Sequence, residues 1–281
     1  MATTNNTAEN NNYKSLSIQI SLNGLSFCIL NTKSNSITNL NTINFDKRVT
    51  PFKLLDILKD QFLVEPSLGQ NFESVQLIHV NELATIVPSE LFNANKIADY
   101  LKFNSKILKS DFIAFDTIEI NKSVCVYVPY VNINNFIYDK FGSFTYKHES
   151  TILINQLLNH ESNSQHEVVY LNIHDSYFQV IAINKGKLML YNSFEFQTNE
   201  DFIYYVLFTL EQLNLNTEDV KVILLGNITE ESALYAILYK YIRYVDFGSR
   251  FDSYNYSIKP IICFNHKNIN ATYPSILQNN F

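Results

Sequence analysis

Leu16, Ile18, Ile20 and Leu22 alternate with Ser17, Gln19 and Ser21, the period of a half-buried strand. Asn23-Gly24 follows, the strongest short hairpin signal, and predicts a type I′ turn with positive φ at both positions. The alternation resumes at Leu25, Phe27 and Ile29, and a third strand over about 37–45 completes a meander. Thr50-Pro51 predicts a helix start: the hydroxyl caps, and proline takes the first helical position, where its missing N–H costs nothing. Phe52, Leu55, Leu58 and Phe62 share one face of that helix, and the apolar run 75–80 reads as a buried strand beside it.

The same pattern returns later at a constant offset, without a gap. Ile20 falls on Leu171, Leu22 on Ile173, Phe27 on Phe178, Ile29 on Val180, Asn41 on Asn192, Ile43 on Phe194 and Phe45 on Phe196. The second copy keeps the order as well. Thr198 with Asp201 is a capping-box pattern, Phe202, Val206, Leu210 and Leu213 form a buried stripe, and 220–225 is a fourth strand ended by Gly226. Thr229 then caps a last helix with Leu234, Leu238 and Tyr241 facing in. A repeat this long implies two copies of one domain. The expected organisation is a disordered tail over 1–14, a first domain with an insertion over 15–165, and a second domain with a loose C-terminal tail over 166–281. Between the copies, strands near 113–115 and 124–128 and helices near 133–141 and 151–158 are predicted, with 159–166 as linker.

Composition narrows the classes. With 281 residues, 46% hydrophobic and 17% charged, either half is long enough to bury a core. A net charge of -6 argues against nucleic acid, and Lys240, Arg243 and Arg250 are too sparse to track phosphates. Cys28, Cys125 and Cys263 lie far apart and are odd in number, which fits buried inert thiols in a reducing cytoplasm. The first twelve residues have no apolar core of a secretory signal, and no apolar run reaches the length of a membrane span.

A three-stranded meander followed by helix, strand and helix resembles the ribonuclease-H-like core. Two such α/β domains in tandem, with mixed sheets and helices, resemble the actin-like ATPase superfamily. Within it the likeness is to the actin-like proteins of pilus-assembly and type II secretion platforms. The runs from Leu16 to Leu30 and from Val169 to Phe178 also resemble a bacterial protein family with no established activity. The superfamily resemblance implies nucleotide held between the domains, each first hairpin giving a phosphate loop with an Asp and glycines, and a paired glycine near the adenosine.

Carried over, the first loop is Ser21-Leu22-Asn23-Gly24, with Ser21 at the Asp position and one glycine. The second is Asn172-Ile173-His174-Asp175-Ser176, with Asn172 at the Asp position and no glycine, and the adenosine turn reduces to Gly226. Ser21, Asn23, Gly24, Asn172, His174, Asp175 and Gly226 are therefore the candidate cofactor-binding positions. Each also has an ordinary turn reading, since Asp and Asn in turns bond their own backbone and glycine ends strands. Two missing carboxylates speak against Mg-ATP hydrolysis and against a metal-dependent nuclease. His160, His166 and His174 lack metal-ligand spacing, and Asp111, Asp116 and Glu119 do not share a face.

The expectation is a cytoplasmic, catalytically degenerate actin-like scaffold with no cofactor and no metal. It binds other proteins, without nucleic acid or membrane insertion, and a homo-oligomer stays open. The alternative is an ATPase or small-molecule kinase using ATP with magnesium, with Asp175 or Glu82 in place of the lost carboxylates. A third reading keeps nucleotide binding through Gly226 without hydrolysis.

Overall fold

The computed structural model describes residues 13–102, 105–249 and 254–256. The expected N-terminal tail (bar its last residues), Cys263 and the stretch from Asn265 lie outside the described residues.

The first half runs β1 (Lys14–Ile20), β2 (Gly24–Asn31), β3 (Ser36–Asn44), α1 (Pro51–Val64) and β4 (Ser74–His79). An insertion follows: β5 (Ala84–Pro88), α2 (Ile97–Lys102), β6 (Ala114–Ile118) and β7 (Ser123–Tyr127). Then come α3 (Val131–Phe141), β8 (Thr145–His148) and α4 (Glu149–His160). The second half runs β9 (Glu167–Ile173), β10 (Tyr177–Asn184), β11 (Lys187–Glu195), α5 (Asn199–Gln212), β12 (Lys221–Gly226), α6 (Ala233–Tyr241), β13 (Tyr244–Phe247) and β14 (Asn255–Tyr256). The sheets are ordered β14-β3-β2-β1-β4-β8 and β11-β10-β9-β12-β13, and the insertion makes a third, β5-β7-β6. Apart from β14, both large sheets show one topology: an antiparallel meander whose first strand pairs in parallel with the strand after the helix. That is the ribonuclease-H-like order, twice. The chain assigned to the second domain also returns to the first, where β14 pairs in parallel with Ser36 and Ile37.

The repeat is real but not gap-free. Ser21 N donates to Gly24 O, and its structural counterpart is His174 N donating to Tyr177 O, both at 2.9 Å. Ser21 therefore matches His174, and Gln19 matches Asn172. The turn from Asn184 to Lys187 is two residues shorter than that from Asn31 to Ser36, which restores the constant offset at β3 and β11. A two-residue slip preserves every in/out assignment along a strand, so the sequence pattern does not register it.

Other expectations shift too. Neither Asn23 nor Gly24 has positive φ, so the first turn is not type I′. Gly24 instead opens β2, where a Cβ would lie 2.7 Å from Ile43 O. In α1 the buried residues are Leu54 and Leu58, and Phe52 is 79% exposed. The predicted caps Thr50 and the Thr198–Asp201 box are present, whereas α6 is capped by Ser232, not Thr229. Tyr241 is exposed.

The first two strands of each domain are buried on both faces. One face packs on the domain's own helices: Leu16, Ile18, Ile20 and Phe27 join Leu54 and Leu58 of α1 and Ile133 and Ile137 of α3. Val169, Leu171, Phe178 and Val180 likewise join Phe202 and Val206 of α5 and Leu238 of α6. The opposite faces meet in a third core. There Cys28, Leu30 and Ile78 from the first sheet and Tyr170, Ile181 and Ile183 from the second close on Ile152, Leu153, Ile154 and Leu157 of α4. Every residue from Glu149 to Ile154 is buried. The body of the helix, Ile152, Leu153, Ile154, Leu157 and Leu158, is apolar, whereas its buried first turn is polar.

Two buried histidines fix the helix starts. His79 and His148 lie side by side at the ends of β4 and β8. His79 Nδ1 accepts Tyr130 N–H at 3.2 Å and Nε2 lies 2.9 Å from Asn134 Oδ1. His148 Nδ1 accepts Ser150 N–H, and Nε2 lies 3.2 Å from Asn81 O. Both rings therefore carry one proton, on Nε2. Burial pushes His79 down to about 3 despite its bond to Asn134, and His148 down to about 4 despite Glu149. The unfolded chain, with histidine near 6.5, binds protons that the fold refuses, so stability falls as pH drops from 7 towards 4. Each histidine should cost about 2 kcal/mol at pH 5 relative to pH 7 or above. Urea melts at pH 7.5, 6 and 5 should show this loss, and His79→Gln with His148→Gln should flatten it; a flat wild-type profile would contradict the assignment.

Candidate functional site

The second-domain candidates converge on one buried side chain, Glu149, at the first position of α4. Asn172 is the penultimate residue of β9, His174 begins the turn after it, and Gln179 pairs opposite Asn172 on β10. His174 Nε2 lies 3.2 Å from Glu149 Oε2, Asn172 Nδ2 3.3 Å from Oε1, and Gln179 Nε2 3.4 Å from Oε2. Gln179 also donates to Ser150 Oγ at 3.1 Å, and Ser150 Oγ lies 2.6 Å from Tyr191 Oη. Asn172 Nδ2 donates to Gln179 Oε1 at 2.9 Å. Tyr177 stacks on the His174 ring at 4.3 Å. Glu149 and Gln179 expose 1% and 0%, so this charge is shut off from bulk solvent. Burial raises the Glu149 carboxyl, but His174, His148 and Asn172 outweigh it and leave its pKa below the ordinary value. The helix N-terminus favours the same charge.

A second carboxylate sits behind the first. Asp116 of the insertion accepts His148 N–H and Thr151 Oγ1–H, each at 2.8 Å, and Tyr127 Oη–H at 3.1 Å. Burial lifts its pKa against these bonds. His148 Nδ1 takes the N–H of Ser150 and Asp116 takes the N–H of His148, so part of the helix end most suited to an anion is already served by the protein.

The first-domain candidates do not join this cluster. Ser21 Oγ accepts the N–H groups of Asn23 and Gly24 at 3.1 and 3.0 Å, the donors a phosphate would need. Asn23 O and Leu22 O accept from Phe45 and Val49, which anchors the turn to the segment after β3. Asp175 is exposed and accepts from Asn227 Nδ2 at 2.7 Å, and Glu82 pairs with Arg48 at 2.6 Å. Gly226, at φ +80°, closes the sheet: a Cβ there would lie 2.2 Å from Ile173 O and 2.8 Å from Asn172 Oδ1.

A magnesium nucleotide does not fit this donor set. The amides of the first turn are taken by Ser21, the polar side chains of the second face a carboxylate, and a phosphate beside Glu149 would meet like charge. Among the described residues no group of three or more His, Cys, Asp or Glu side chains is placed to hold a metal ion. Nor is any helix among them long and apolar enough to cross a membrane.

The sequence reading missed Glu149, Ser150, Gln179, Tyr191 and the role of Asp116. One signal was available: Ile152, Leu153 and Ile154 are consecutive apolar residues pointing to different sides of a helix, so a Glu three residues before them enters the same burial.

Two sheets of one topology closed over a shared helix define a two-domain protein of the actin-like ATPase fold. Among solved structures, a protein of Bacteroides thetaiotaomicron with actin-like ATPase fold and unknown function matches at TM-score 0.77 and 23% identity, over 84% of this chain and 91% of that one. A chain of the PilM–PilN type IV pilus biogenesis complex matches at TM-score 0.60 and 10% identity, over 94% and 96%. The chain itself belongs to the DUF3822 family, described as a protein of unknown function, which matches residues 3–245. No curated protein matches its sequence.

Gly226→Ala should destabilise the fold by at least about 2 kcal/mol, from strained backbone and a forced shift of the β9 end. Gly69→Ala, with open space around its Cα, should stay within about 0.5 kcal/mol. Urea unfolding of both variants checks the contrast; equal effects would mean that Gly226 is not a packing position.

Proposed function

We propose that this protein is a non-catalytic member of the actin-like fold that works as a scaffold, binding other proteins in the cytoplasm. The observation that carries the reading is α4. Its apolar body packs between the sheets, and its Glu149 engages the second loop's own polar groups, which supports a junction filled by the protein itself. What remains for function is surface. The PilM–PilN complex supports this direction, because there a chain of the same fold forms part of an assembly with a protein partner. A partner strand adding to an open sheet edge is one mode that suits the fold.

The enzyme alternative has no comparable support. Asp175 is bonded to Asn227 and Glu82 to Arg48, side chains outside the set that holds Glu149.

A ligand that binds only the native state raises the melting temperature by mass action. The purified protein should show no shift with ATP or ADP at millimolar concentration, with or without Mg²⁺. A rise that depends on Mg²⁺ would overturn the scaffold reading and restore the ATPase.

A further inference from the structure

We propose that the second domain carries a carboxylate-binding site built from Asn172, His174 and Gln179, whose resident ligand is the Glu149 side chain of α4. The donors come from β9, its following turn and β10, and all converge on one pair of oxygens. Asn172 and Gln179 are fully buried and His174 is 3% exposed, so the site is a closed cradle and not a surface cluster. Its donors are divided between the two oxygens, Asn172 on Oε1 and His174 and Gln179 on Oε2, which matches a planar carboxylate. A tetrahedral phosphate would bring a third and fourth oxygen to which none of these three donors is assigned.

The site spans the domain junction. Its donors belong to the second domain, while its ligand leads the helix packed against the first sheet. Tethering keeps the effective concentration of Glu149 far above that of any free anion, so the native protein does not exchange it. Removing the side chain beyond Cβ takes away a methylene and a carboxylate, the atoms of acetate, and leaves room for the smaller formate in the carboxylate's place. The inference rests on the reading that this cradle takes no nucleotide, but its test reads a different ligand, so either can fail alone.

The experiment is a melting series of Glu149→Ala and wild type in sodium formate, sodium phosphate and sodium chloride at matched ionic strength. The variant should melt lower than wild type and regain about 3–6 °C at formate tenfold above its Kd, with phosphate and chloride giving no such rise. Wild type should respond to formate no more than to chloride. Equal rises in formate and chloride, an equal rise in phosphate, or the same formate response in wild type would each overturn the site. Should Glu149→Ala not fold, the side-chain carboxyl resonance of Glu149 in wild type decides. Facing His174, His148 and Tyr191, it should stay ionised through the pH range where exposed glutamates titrate, and titration alongside them would overturn the assignment.

Discussion

A full negative charge buried between two domains constrains everything around it. Glu149 is shut off from bulk solvent, and the side-chain donors facing it come from the opposite domain. Removing one member of such a set typically costs about 3–5 kcal/mol, because the rest stays buried and unpaired. The pair therefore fixes geometry more than it adds stability. It sets how far α4 enters, which way its N-terminus points and where the second sheet must lie. The apolar seam of Ile152, Leu153, Ile154 and Leu157 then closes in that arrangement.

The rest of the fold meets this requirement by doubling. Each domain uses one face of its first strands for its own helices and the other for the junction. The parallel strands of the first domain end in His79 and His148, neutral rings that each accept a backbone N–H at or just before a helix start. The inserted sheet supplies Asp116 to the same helix end. The two halves of this actin-like architecture are thus held together through side chains of α4 and of the second sheet.

Much of this was legible in the sequence. Strand alternation, the Thr50-Pro51 start, the Thr198–Asp201 box and the repeat gave two ribonuclease-H-like domains. The hairpin register was not legible, because a two-residue slip leaves the hydrophobic pattern unchanged and pairs Ser21 with Asn172 when the bonds pair it with His174. The turn at Asn23-Gly24 misled for a different reason: glycine there serves the close approach of Ile43 O and has no need of positive φ. Asn172, His174 and Gly226 were singled out and do lie together, but what they surround depends on a residue of α4 more than twenty positions away, and contacts at that range carry no local signature.

The central claim is that α4 and its Glu149 are a permanent part of the domain junction. Native-state hydrogen exchange along α4 tests it most directly, since amides that open locally exchange faster than global unfolding allows. Amides from Leu153 to Leu158 should exchange only with global unfolding, with the same free energy as the cores of the two sheets. Exchange of α4 through a separate, lower-energy opening, with both sheets still protected, would mean that the junction opens as a cleft, and the account would be wrong.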